Sequence, residues 1–201
     1  GIMQVIPNKP SGWYAGDQHL HTELAPDGDI PLSQIKNGAI DADLDWIIIT
    51  DHSNSPLSSY GEEDWNTGDD YCQNLNSNNF KCLYNQEMAV DSGPCDAAHY
   101  LAYPYLTDNI AYINGRCNNV AWNCGCRDAQ TIIDEVNNAR GMGVLAHPFD
   151  SSGLALQWED WSVTEFTGLE IWNDKDGDWS NDDSNSLNKW NELLNQETNP
   201  N

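Results

Sequence analysis

Apolar positions along this chain fall into short runs separated by stretches rich in Asn, Asp and Ser. Residues 13–20 and 46–50 read as strands, and the second, Trp-Ile-Ile-Ile-Thr, is of the type buried on both faces. Between them Leu32, Ile35, Ala39 and Ile40 recur at helical spacing. Residues 80–90 and 99–105 read as further strands. The clearest helix is 128–140, where Asp128 can cap the start and Ala129, Ile132, Ile133, Val136 and Ala139 form one apolar face. Gly141 supplies its stop. Buried strands follow at 143–146 and 168–172, and Leu187, Trp190, Leu193 and Leu194 mark a last helix. Strand–helix alternation of this kind predicts an α/β fold with a parallel sheet, open or closed into a barrel. The acidic run Glu62, Glu63, Asp64, Asp69 and Asp70 beside Trp65 reads as a solvated loop.

A length of 201 residues suits a single domain spanning 1–201. Nine Trp and eight Tyr imply a real core, so the polar composition reflects long loops and not disorder. The net charge of −24, from 32 acidic against eight basic residues, excludes nucleic acid and anionic membranes as partners. It suits divalent cations or a saline setting. No apolar run reaches the length of a membrane span, and residues 1–10 lack the features of a signal peptide. The chain is therefore either not exported or a mature form after cleavage.

The cysteines favour export. Six are present, at Cys72, Cys82, Cys95, Cys117, Cys124 and Cys126, with no paired C-x2-C knuckles. Their even number and loop-like settings predict disulfides and an oxidising compartment, periplasmic or extracellular. Four of the six lie in an irregular stretch at about 91–127, which reads as a stapled insertion in the scaffold.

Only five histidines are present, so their placement carries information. His19 and His21 flank one residue at the end of the first strand, where a period of two puts both on one face. His52 ends the second strand, Glu87 lies late in the third, and His147 ends the strand at 143–146. His99 differs, because it stands at the start of its strand and not at its end. In parallel α/β barrels the strand carboxyl ends converge on one rim. Neutral imidazoles with a carboxylate form a ligand set for Zn, Mn or Fe. Asp17 and Asp51, each close before a histidine, are placed to orient an imidazole.

These residues resemble the motifs of the PHP (polymerase and histidinol phosphatase) family. Gly16-Asp17-Gln18-His19-Leu20-His21-Thr22 with Pro26-Asp27-Gly28 is similar to the opening motif, and Ile49-Thr50-Asp51-His52-Ser53 to the second. Gln86-Glu87, His99-Tyr100-Leu101, Ala146-His147-Pro148 and Gly168-Leu169-Glu170-Ile171-Trp172-Asn173 follow in the family's order. The lead-in Gly12-Trp13-Tyr14 is most like the exported, carbaryl-hydrolase-like branch.

The resemblance implies a distorted (β/α)7 TIM-like barrel holding two or three divalent metals, Zn, Mn or Fe. It implies His19, His21 and Glu87 at the first metal. Glu87, His99 and His147 would hold the second, with Glu87 bridging, and Asp27 and His52 the third. Glu87, His19 and His147 are the candidate catalytic residues, where metals would activate a bridging water and polarise the scissile group. The family closes its site with an Asp-x-His after the last helix. No such motif precedes Asn201, so either the sequence stops short of it or the barrel and site are incomplete at the C-terminus.

The expected function is an exported metal-dependent phosphoesterase acting on a small-molecule substrate. Cleavage of a carboxylic or carbamate ester is the alternative within the same chemistry. A non-catalytic extracellular binding or structural module that keeps the barrel is the alternative outside it. Asp174, Asp176 and Asp178 alternate around a Gly turn and can wrap Ca2+, though without EF-hand spacing; a solvated acidic turn is the other reading. A Ca2+-dependent adhesion or carbohydrate-binding domain would use that turn with nearby tryptophans. Ser53 and Ser55 follow His52, but no Gly-x-Ser-x-Gly elbow accompanies them.

Overall fold

The computed structural model describes residues 12–25, 28–52, 62–91, 97–103, 127–151, 157–173 and 179–198. Asp27, Asp174, Asp176, Asp178, Ser53, Ser55 and the cysteines of the insertion lie outside them.

The elements run β1 (Gly16–Leu20), α1 (Leu32–Asp41), β2 (Trp46–His52), α2 (Glu62–Leu75), β3 (Lys81–Asp91) and β4 (Ala97–Tyr103). They continue as β5 (Arg127–Asp128), α3 (Ala129–Asn138), β6 (Met142–Ala146), β7 (Gly168–Leu169) and α4 (Asn181–Thr198). One seven-stranded sheet has the order β1-β2-β3-β4-β6-β7, with β5 paired to β3. The fold is mixed α/β, its sheet curled into a half-barrel. Among the described residues no ladder joins β7 to β1.

The expectation of a parallel sheet fails at one strand. β4 runs antiparallel to both β3 and β6, while β1–β2, β2–β3 and β6–β7 are parallel. Only five residues separate β3 from β4, too few for the crossover that parallel neighbours need.

Strand alternation divides the sheet into two faces. Ile47 and Ile49 of β2 and Tyr84 of β3 point outward, where Ile35 and Ala39 of α1 and Cys72 of α2 cover them. Met88, Val90, Tyr100 and Leu145 point outward further along, under Ile132, Ile133 and Val136 of α3. Fully burying each such aliphatic side chain contributes roughly 1.5–3 kcal/mol. The inner face carries a smaller cluster of Leu101, Tyr103 and Ala146, with Ile48 and Val144 against it. The metal-ligand candidates occupy the same face at one rim.

α2 replaces the loop expected around the acidic run. Among its described side chains the contact stripe is Gly68 and Cys72, both buried, with Leu75 half-buried, so no aliphatic periodicity marks it in the sequence. Gly68 lets the helix lie on the Tyr84 ring: a Cβ there would come within 2.1 Å of it. A disulfide joins Cys72 to Cys82, tying α2 to β3. These two cysteines are buried in a helix and a strand, not in the loop-like setting expected of them.

The helix at α3 matches the expected apolar face, and Asp128 caps it by accepting a hydrogen bond from the Thr131 N–H. Its stop differs in detail. Gly141 donates to the Val136 carbonyl and Arg140 to that of Asn137, and Arg140, not the glycine, takes the left-handed conformation at φ 58°. α1 ends in the same way, with Asp43 at φ 59°. No helix among the described residues is long and apolar enough to cross a membrane.

Candidate metal centre

Five imidazoles surround one carboxylate. Glu87, on the inner face of β3, is completely buried. Its Oε2 lies 3.2 Å from His19 Nε2, 3.0 Å from His21 Nε2 and 3.3 Å from His52 Nδ1. Its Oε1 lies 2.8 Å from His99 Nδ1 and 2.9 Å from His147 Nε2.

Each residue arrives for a local reason. In β1 the register with β2 slips by one residue between Asp17 and Leu20, a bulge spanning Gln18 and His19. His19 and His21 keep their spacing of two, and their Nε2 atoms stand 3.1 Å apart. His52 pairs directly with Glu87 across β2 and β3. His99 lies opposite Ala89 on one side and Ala146 on the other, so it is diagonal to Glu87 and next to His147. It is the third residue of β4, where the sequence placed it at the strand's start. Because β4 is antiparallel, its N-terminal end reaches the rim that the other strands reach at their carboxyl ends.

The electrostatics are those of a site built around positive charge. Burial disfavours ionisation of Glu87, but the imidazoles of His99, His19 and His52 and a hydrogen bond from His147 hold its pKa well below the usual carboxylate range. Burial also works against charge on His19, yet Glu87 and Glu170 outweigh it and hold its pKa well above the ordinary value. For His99 burial prevails over Glu87 and pulls its pKa down to about 4.

The donor set fits divalent metal ions. Glu87 Oε2 makes no hydrogen bond among the described residues despite being buried with three imidazole nitrogens close by. His99 Nδ1 and His147 Nε2 approach to 3.1 Å. Nitrogens sharing a tetrahedral ion at bonds of ~2.0–2.1 Å lie ~3.3 Å apart, near these separations. Two groups, His19–His21–Glu87 and His52–Glu87–His99, each bring their ligand atoms within 4.8 Å of one another. His147 stands beside the second. Among the described residues the structure thus gathers His19, His21, His52, Glu87, His99 and His147 at one place.

The expected supporting carboxylates behave differently. Asp17 accepts from the backbone N–H of His19, not from an imidazole. Asp51 is turned to the outer face, as the neighbour of an inward His52 must be. There it accepts from the Thr22 N–H at 2.6 Å, the Thr22 hydroxyl at 2.7 Å and the Tyr84 hydroxyl at 2.6 Å. The carboxylate at the imidazoles is Glu170, just past β7, whose Oε1 and Oε2 lie 3.0 and 3.2 Å from His19 Nδ1. Its signal in the sequence was an acid inside the otherwise apolar run Gly-Leu-Glu-Ile-Trp.

No family model matches the sequence, and no curated protein matches it. Among solved structures, the chain is similar to a protein from Bifidobacterium adolescentis described as a metal-dependent phosphoesterase. The TM-score is 0.52 at 14% identity, covering 89% of this chain and 83% of that one. It is similar also to an amidohydrolase from Chromobacterium violaceum, solved with bound sulfate and no metal, with TM-score 0.50 and 13% identity over 78% of this chain and 76% of that one. These likenesses support the fold.

Proposed function

We propose that this chain is a metal-dependent hydrolase whose substrate class is a phosphoester. The observation that carries the reading is the buried Glu87 carboxylate held among five imidazoles at one rim of the half-barrel. His19, His21 and Glu87 would hold one metal, and Glu87, His99 and His147 a second. His52 falls in one group with Glu87 and His99; with Asp27, which lies outside the described residues, it is the pair that the family resemblance implies for a further ion. Bound metals supply a Lewis acid and an activated water at neutral pH.

The residues of the chain contribute the rest. Glu87 supplies negative charge to both halves of the site, one oxygen toward each. The neutral imidazoles leave the cations' charge largely uncompensated, which favours an anionic, tetrahedral substrate group over a neutral ester. That local field also answers how a chain of net charge −24 could accept an anion. The description of one structural neighbour as a metal-dependent phosphoesterase is in keeping with such a substrate. The Cys72–Cys82 disulfide supports an oxidising compartment as its place of work.

The test is a panel of chromogenic phosphomonoesters, phosphodiesters, carboxylic esters and carbamates on metal-loaded protein. Phosphoester turnover abolished by chelator and by His19→Ala is the expected result. Turnover confined to carboxylic or carbamate esters would replace the substrate class, and metal binding without any turnover would leave a binding module.

A further inference from the structure

Glu170 stands apart from the proposed ligands yet touches two of them. It follows β7, the last strand in the sheet order, while His19 belongs to β1, the first. No ladder among the described residues spans that gap, so the Glu170–His19 contact is a polar link across the open side of the half-barrel. The side chain is 6% exposed, and a carboxylate so placed needs partners. Among the described residues it has three: the His19 Nδ1, the backbone N–H of His147 at 2.8 Å and the Asn173 amide at 3.1 Å.

We propose that Glu170 is the positioning residue of this metal centre, fixing His19 with its proton on Nδ1 and holding the His147 backbone in ligating pose. The inference rests on the metal-centre reading above. An ionised carboxylate only accepts, and its other two partners only donate. The His19 Nδ1 must therefore carry hydrogen, which leaves Nε2 as the atom that gives its lone pair to a metal when the metal takes the place of any proton there. That atom is the one among the other ligand atoms, 3.2 Å from Glu87 Oε2 and 3.1 Å from His21 Nε2.

The second contact acts on the backbone. His147 has φ 25°, in the left-handed region that residues other than glycine rarely adopt. The hydrogen bond from its N–H to Glu170 Oε2 pins that conformation, with the ring on Glu87 Oε1. One carboxylate thereby sets one ligand in each half of the site.

The test uses zinc alone as probe, on the full chain. In zinc-loaded wild type, nitrogen-15 spectra of the imidazoles should show His19 protonated on Nδ1 with the metal on Nε2. Glu170→Ala should weaken zinc binding about 10- to 100-fold in a chelator competition, and the near-isosteric Glu170→Gln by less. The metal-free circular dichroism spectrum of Glu170→Gln should match wild type. Wild-type zinc affinity in both variants overturns the proposal, as does His19 bound through Nδ1 in the wild type. If Glu170→Ala fails to fold, the wild-type spectrum and Glu170→Gln decide. A wild type that binds no zinc overturns the metal-centre reading itself, and this inference with it.

Discussion

His99 Nδ1 lies 2.8 Å from Glu87 Oε1, although the two residues reach that point along strands running in opposite directions. The antiparallel β4 brings a residue near its start to the rim where its neighbours end, so His99 joins ligands that come from strand carboxyl ends. The geometry makes Glu87 common to both halves of the site.

Metal should therefore stabilise the fold through Glu87. A ligand present at 100 times its Kd contributes about 2.7 kcal/mol. For a chain of this size that corresponds to a rise in Tm of roughly 5–10 °C. Differential scanning fluorimetry with Zn2+ or Mn2+ should show such a rise in the wild type, its reversal by chelator, and little or none in Glu87→Gln.

The helix ends predict stabilising changes. Arg140 and Asp43 occupy the left-handed position after α3 and α1, where glycine pays no steric cost. Arg140→Gly and Asp43→Gly should each raise stability by about 1 kcal/mol, read as a higher urea midpoint with unchanged slope. A lower midpoint in both would show that the side chains hold these turns by other contacts.

Tyr100 and Gly143 form a contrasting pair. The buried Tyr100 hydroxyl has no partner among the described residues, and a Cβ on Gly143 would fall 1.6 Å from it. Tyr100→Phe should be neutral or stabilising by up to about 1 kcal/mol, since it removes a polar atom that burial leaves unmatched. Gly143→Ala should cost about 3 kcal/mol or more. Thermal melts should place Tyr100→Phe at or above the wild type and Gly143→Ala well below it.

The start of α4 predicts a pH response. Burial raises the Asp183 pKa, but hydrogen bonds from the Ser180 N–H and hydroxyl and the Asn173 N–H override it, leaving the pKa below 3.8. The Ser180 hydroxyl in turn accepts from the Asp183 N–H, a reciprocal cap. A folded pKa below the unfolded one stabilises the protein above the unfolded value. That stability is lost as pH falls from about 4 through the folded pKa. Asp183→Asn should lower Tm at pH 7 and flatten the fall in Tm below pH 4, when both proteins are melted across that range.

Much of this architecture was legible in the residues themselves. Trp-Ile-Ile-Ile-Thr and the Ile132–Ile133–Val136 stripe announce β2 and α3 because aliphatic burial has a strong period. The histidines stood out because a chain with only five of them sets most at strand ends, and Glu87 stood out by its place in the motif order that the chain resembles. The illegible parts have physical causes. α2 packs through Gly68 and Cys72, which carry no aliphatic pattern, and β4 differs from its neighbours in direction, which periodicity does not encode. Asp51 looked like a partner for His52, but alternation sends adjacent strand residues to opposite faces. Glu170 had no motif role assigned, because its partners His19 and His147 lie 151 and 23 residues away in sequence.

The most direct measurement is metal content by mass spectrometry after equilibration with Zn2+ or Mn2+ and removal of free ion. The wild type should retain at least two ions per chain, and Glu87→Ala, which removes the carboxylate common to both halves, should retain fewer than one. A wild type that retains no ion, or a Glu87→Ala variant that retains as many as the wild type, would contradict the account.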